Sequence, residues 1–200
     1  ASAAVQASQE TLDLDSDDSI YRIISSAYPV DQSYVPQNLV EPDVNMNHTQ
    51  QVREELAEPL KQLFAAAEKA GISLKLVSGY RSYQLQVSLM NTYTERYGAE
   101  FARRIDDHPG ASEHQLGLAV DLGDESGKCE LSECFVQTSA SQWLEDHAYE
   151  YGFIERYPEG KESVTGIMYS PWHYRYVGTE QAEKIHASGL SMEEYYNRKS

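Results

Sequence analysis

Two segments far apart in the chain restrict its fold more than any other feature: Ser112 to Asp121, and Ser170 to Tyr176. Within the first, Leu118, Val120 and Leu122 alternate with Ala119 and Asp121. That is the period of a strand, and it points Asp121 away from the apolar face. His114, Asp121 and the distant His173 can close three corners of a tetrahedral zinc site and leave the fourth to water, the pattern of a catalytic rather than a structural metal. Any fold that does this must bring a loop, a strand and a remote second segment to one point. Spacing alone argues for it weakly. Histidine is also a satisfied polar residue in cores and aspartate a cap, and these three lack the compact HExxH signature of a helical zinc site.

The rest of the chain reads as one α+β domain: a central antiparallel sheet with the site on one face and helices on the other. Residues 1–18 hold Glu10, Asp13, Asp15, Asp17 and Asp18 without a basic residue, and are expected to be an acidic disordered tail or tether. The domain then covers 19–200, with a core of about 48–180. Tyr21 to Glu41 is an extended arm. Thr49 opens a helix whose apolar rhythm runs to Ala67 and which Gly71 ends, with a kink or break expected at Pro59. Ile72 to Val77 is a strand. Ser82 to Tyr97 is a helix with Leu85, Leu89 and Tyr93 on one side, and Ser141 to Tyr151 is another. Phe153 to Tyr157 and Gly166 to Tyr169 are expected to pair as a hairpin around Pro158 to Gly160, with two helices closing the chain.

Composition excludes some classes. In 200 residues with 40% hydrophobic content there is material for one good core. No run approaches the length needed to span a bilayer. The chain starts at Ala1 without an initiating Met or a leader, compatible with a removed signal peptide or anchor. A formal charge of −16 argues against nucleic acid, which such a surface repels. The 15 tyrosines are read as half-buried packing, and a monomer is expected.

The two opening segments, together with Ser78 to Tyr83 and Tyr151 to Ile154, resemble the D-alanyl-D-alanine carboxypeptidase family of the vancomycin-resistance (VanY) type, related to the wider lysostaphin and hedgehog-domain fold. The resemblance runs from about Tyr21 to Tyr195. It implies that His114, Asp121 and His173 bind Zn2+, and that Arg81 steadies the scissile carbonyl or the oxyanion. It also implies that Gln86 and Ser112 hold the carboxylate of the substrate, with Tyr80 and Trp172 packing at the cleft. The implied substrates are peptidoglycan stem peptides ending in D-Ala, in the cell wall or on the surface of a bacterium. Cys129 and Cys134 are expected to form a small disulfide, since a similar pair recurs in the family, and this would place the protein outside the cytoplasm.

One position departs from the pattern. Relatives usually carry a glutamate, the general base, where this chain has Ser170. A serine hydroxyl cannot accept a proton at neutral pH, and losing a positioned base removes about 10²–10⁴-fold of rate. Glu155, where relatives tend to be aliphatic, is a candidate replacement. If the expected hairpin closes tightly, Glu155 lies opposite about Met168 and is a diagonal neighbour of Ser170. Three readings therefore stand: a D,D- or L,D-carboxypeptidase with a relocated base; a silenced zinc-containing wall-peptide binder, natural or engineered; and a scaffold without metal.

Overall fold

The computed structural model describes residues 12–105 and 108–198. In chain order the elements are β1 (Leu39–Val40), β2 (Val52–Arg53), α1 (Glu54–Lys69), β3 (Leu74–Ser78), α2 (Tyr83–Tyr97), α3 (Ala99–Ile105), β4 (Ala119–Asp124), α4 (Ser139–His147), β5 (Phe153–Glu155), α5 (Glu162–Thr165), β6 (His173–Tyr176), α6 (Thr179–Ser188) and α7 (Met192–Tyr195). Two sheets form: β1 with β2, and a four-stranded sheet in the order β3-β4-β6-β5 whose neighbours are all antiparallel.

Strand parity divides the large sheet into two chemically different faces. Leu76 pairs with Leu122, Val120 with Tyr174 and Tyr176 with Phe153. Directly paired residues point the same way, so these side chains share one face. There they meet Leu56, Leu60 and Leu63 of α1 and Leu144 of α4 in the main core. Each fully buried leucine of this set contributes about 1.5–3 kcal/mol. The intervening residues, Asp121, His173 and Arg175, leave by the other face. The α+β architecture expected from the sequence is thus present, with the polar residues of β4 and β6 opposite the helix-covered side.

Several local expectations need correction. The first helix starts at Glu54, because Val52 and Arg53 are taken by the pairing with β1. Pro59, the sixth residue, lies inside it without ending it, and the hydrogen bond its nitrogen would have donated to the Glu55 carbonyl is forgone. On α2, capped by Ser82 and ended by Gly98, the buried residue is Gln86, while Leu85 is exposed. The segment from Phe153 does not pair with Gly166 to Tyr169. It pairs with β6, in the register Phe153 to Tyr176, Ile154 to Arg175 and Glu155 to Tyr174. Between the two strands runs a long connection containing α5.

The acidic segment is not a free tail over its described part. Residues 1–11 lie outside the described residues. From residue 12 onward the segment is tied to the body, with Asp17 3.1 Å from Arg22 Nε, Leu14 accepting a backbone hydrogen bond from Ile23, and Asp15 paired with Arg198. Two of the acidic residues that suggested a tether, Asp15 and Asp17, are thus matched by arginines.

Candidate metal centre

The site forms at the β4–β6 ladder. Asp121 and His173 are directly paired across it, and Ser78 of β3 pairs with Asp121 from the other side. His114 comes from a 3-10 turn, Glu113–Leu116, that precedes β4. Gly117 ends that turn at φ 67°, and a Cβ there would stand 3.0 Å from Arg53 Cγ. Only glycine meets both demands without strain. Gly79 is equally confined, since a Cβ would lie 2.4 Å from the Gln51 carbonyl oxygen.

One ligand atom from each of His114, Asp121 and His173 lies within 4.8 Å of the others, and all three residues are buried. His114 Nε2 is 3.2 Å from Asp121 Oδ2, and His173 Nδ1 is 3.0 Å from Asp121 Oδ1. The Gly79 carbonyl oxygen, 2.6 Å from His114 Nδ1, takes the proton on that nitrogen and leaves the lone pair on Nε2. That Nε2 is buried and makes no hydrogen bond. A lone pair and a carboxylate oxygen therefore face each other with no proton between them, an arrangement that a cation relieves. Two imidazoles and a carboxylate are also the donor types zinc takes. The residues fit the metal.

Electrostatics favour the ligand form of two of the three residues. Burial pushes the Asp121 carboxyl up, but the adjoining His114, the Arg81 charge and a hydrogen bond with His173 outweigh it and hold the group well below the usual carboxylate range. Burial and the Arg81 charge lower His114, keeping the ring neutral as a ligand must be. His173 behaves oppositely: burial opposes its charge, yet the hydrogen bond with Asp121 and the nearby Glu113 carboxylate raise it to about 9.

A cleft of about 370 Å³ opens over these residues. Arg81, Ser112, Ser170 and Trp172 line it, and Tyr93, Tyr97, Phe101 and Leu131 form an apolar rim. Arg81 donates through Nε to Ser78 Oγ at 2.9 Å and pairs with Asp121. The Ser170 hydroxyl donates to the Met168 carbonyl at 2.9 Å. Among the described residues lining the cleft, Asp121 carries the one carboxylate. Gln86 is fully buried within α2, and neither it nor Tyr80 belongs to the lining.

Glu155 does not face the cleft that Ser170 lines. Paired with Tyr174, it shares the helix-side face with Val120, whereas His173 leaves by the opposite face. It lines a separate pocket with Glu145, Tyr149 and His186. Burial and the neighbouring Glu145 raise its carboxyl to about 7, although a hydrogen bond with Tyr169 works the other way. The register decided this: the hairpin partner assumed from sequence was the wrong segment, and side-chain direction follows the partner.

Sequence reasoning passed over three neighbours of the site. Tyr157 places its ring 4.9 Å from that of His173. Leu131 reaches the rim from the loop closed by the Cys129–Cys134 disulfide, with its own φ at 51°. Glu113 is buried beside the candidate ligands because the whole 3-10 turn is enclosed: its successive side chains, Ser112 through Leu116, point in different directions and are all buried. An adjacent residue in a strand would have pointed away.

Comparison with known proteins agrees with this geometry. Residues 49–179 match the family model described as VanY, D-alanyl-D-alanine carboxypeptidase. The chain belongs to this family. A relative named putative carboxypeptidase YodJ, from Bacillus subtilis (strain 168), is 40% identical over 186 residues, spanning 90% of this chain and 68% of the relative. The LdcB LD-carboxypeptidase structure superposes with a TM-score of 0.84 at 39% identity, covering 92% of this chain and 88% of that one. A vancomycin-resistance D,D-pentapeptidase VanY variant solved in complex with Zn(II) has a TM-score of 0.76 at 32% identity, covering 88% and 98% respectively.

Proposed function

We propose that this chain is a zinc-dependent D,D- or L,D-carboxypeptidase acting on the terminal D-alanine of peptidoglycan stem peptides, outside the cytoplasm of a bacterium. The observation that carries it is the convergence of His114 Nε2, the Asp121 carboxylate and His173 Nδ1 at the floor of the cleft. Likeness to an LD-carboxypeptidase and to a D,D-pentapeptidase supports the substrate class. A formed disulfide supports the compartment. No helix of the described residues is long and apolar enough to cross a membrane.

The residues divide the work by position. A zinc ion held here supplies Lewis acidity toward a peptide carbonyl and lowers the pKa of water to about 7. Arg81, at the cleft floor, brings a fixed positive charge to where a carbonyl oxygen gains negative charge. The Ser112 hydroxyl, buried and facing the cleft, donates to the peptide's terminal carboxylate. The aromatic rim keeps water from the peptide and strengthens each of these interactions.

A second reading is favoured by one specific feature. Ser170 faces the cleft where relatives usually place glutamate, and no other described side chain of the lining except Asp121 offers a carboxylate. With Asp121 committed to the metal, proton transfer has no assigned acceptor. The protein then holds wall peptides and turns them over slowly or not at all.

Single-turnover release of D-alanine from a stem pentapeptide and a tetrapeptide, with zinc-loaded protein in excess and a chelated control, separates the two. Chelator-sensitive release supports the peptidase, and the better substrate assigns D,D or L,D preference. Peptide binding without release supports the silenced form. Failure to bind either zinc or peptide overturns both.

A further inference from the structure

On the far side of His173 from the cleft lies a carboxylate that the ligand set does not use. Glu113 is completely buried, and it does not line the cleft. Its Oε1 accepts two hydrogen bonds, from Arg156 Nε at 2.8 Å and from an Arg175 terminal nitrogen at 2.7 Å. Its Oε2 is buried without a hydrogen-bond partner, and so is His173 Nε2; the two atoms face each other at 3.8 Å. Two buried groups left unpaired are each unfavourable, and here each supplies what the other lacks.

The arginines that hold Glu113 are themselves anchored at both ends of the domain. Arg156 donates to both carboxylate oxygens of Glu193 on α7. Arg175 donates to the backbone carbonyls of Ile20 and Arg22 in the N-terminal arm at 2.9 and 2.8 Å. The two guanidinium charges balance the carboxylates of Glu113 and Glu193, so a fully buried cluster carries no net charge. Glu113 Oε1 is immobilised by this cluster, which leaves Oε2 aimed at the imidazole.

We propose that Glu113 is a positioning residue for the third metal ligand: its Oε2 accepts the Nε2–H of His173, which fixes the ring's rotation and leaves the lone pair on Nδ1, toward Asp121. A neutral imidazole carries its proton on one nitrogen only, and an acceptor behind one nitrogen decides which. The two histidines are thereby set in opposite senses. His114 is held through Nδ1 by a neutral carbonyl and presents Nε2; His173 is held through Nε2 by a carboxylate and presents Nδ1. A carboxylate in this place also raises the basicity of the ligand. The inference rests on the metal reading given above.

The test uses the whole chain, zinc-loaded and labelled with 15N. Histidine ring-nitrogen correlation spectra should show the His173 proton on Nε2 and the metal on Nδ1; a proton on Nδ1 overturns the proposal. This measurement needs no substitution. In parallel, zinc affinity is read by competition with a chromophoric chelator in Glu113→Gln. The amide keeps its oxygen on the arginines and turns its NH₂ toward Nε2, favouring the wrong tautomer. A folded Glu113→Gln protein is expected to bind zinc about 10–100-fold more weakly. Unchanged affinity in a folded variant overturns the proposal while leaving the metal site standing. Absence of zinc binding by the unsubstituted chain overturns the metal reading, and this inference with it.

Discussion

Asp121 and His173 stand directly opposite each other in the β4–β6 ladder, with His173 Nδ1 3.0 Å from Asp121 Oδ1. The ladder places them as a pair, and the 3-10 turn before β4 delivers His114 to the same carboxylate. Because two of the three candidate ligands sit on adjacent paired strands of the sheet, their spacing is set by backbone hydrogen bonds and not by loop conformation.

Replacing the shared carboxylate should therefore abolish the site while sparing the fold. Asp121→Asn is expected to lower zinc affinity by more than about 100-fold, beyond the range typical of an outer partner. Metal content after dialysis, with circular dichroism as the control for folding, checks this. Retention of one zinc per chain would remove Asp121 from the ligand set.

Ser170 occupies a buried position in the cleft lining. Restoring a carboxylate there supplies a proton acceptor beside the ligands. Ser170→Glu is expected to raise single-turnover D-alanine release by about 10²–10⁴-fold. No gain, in a folded and zinc-loaded variant, would show that the chain already has a base or lacks the chemistry altogether.

Glu155 should matter to stability and not to turnover. Its carboxyl is raised from 4.5 to about 7, so the folded state keeps a proton that the unfolded state releases. The stability held below about pH 4.5 is then lost as pH rises through about 7, with a slope of at most about 1.4 kcal/mol per pH unit. Glu155→Gln should flatten this part of the stability–pH curve in denaturant titrations. Its D-alanine release should match the unsubstituted chain, because the side chain lies on the other face of the sheet. A loss of release beyond 10-fold would contradict that placement.

The Cys129–Cys134 disulfide closes the loop that carries Leu131 to the cleft rim. In the chain-entropy view a closed loop this short contributes about 2 kcal/mol. Cys134→Ser should lower stability by about that amount and raise KM for peptide more than it changes kcat, since Leu131 belongs to the wall and not to the ligand set. An unchanged KM would assign the loop to stability alone.

By itself the sequence determined much of the frame, and its family resemblance pointed to the His114, Asp121 and His173 cluster that the fold brings together. The alternation of Leu118, Val120 and Leu122 around Asp121, the cap at Ser82 and the stop at Gly98 are local signals, carried by neighbours in the chain, and the structure shows β4 and α2 there. Pairing partners are not local. Whether β5 meets residues 166–169 or β6 depends on what the whole connection between them packs against, and that choice alone moved Glu155 from the cleft to the opposite face. The same holds for Glu113. Its carboxylate can be buried only because arginines from β6 and from the residue after β5 converge on it, each anchored to an opposite end of the chain. A single acidic letter beside a histidine carries no trace of those partners; a buried charge is decided by where its counter-charges arrive, which only the tertiary structure fixes.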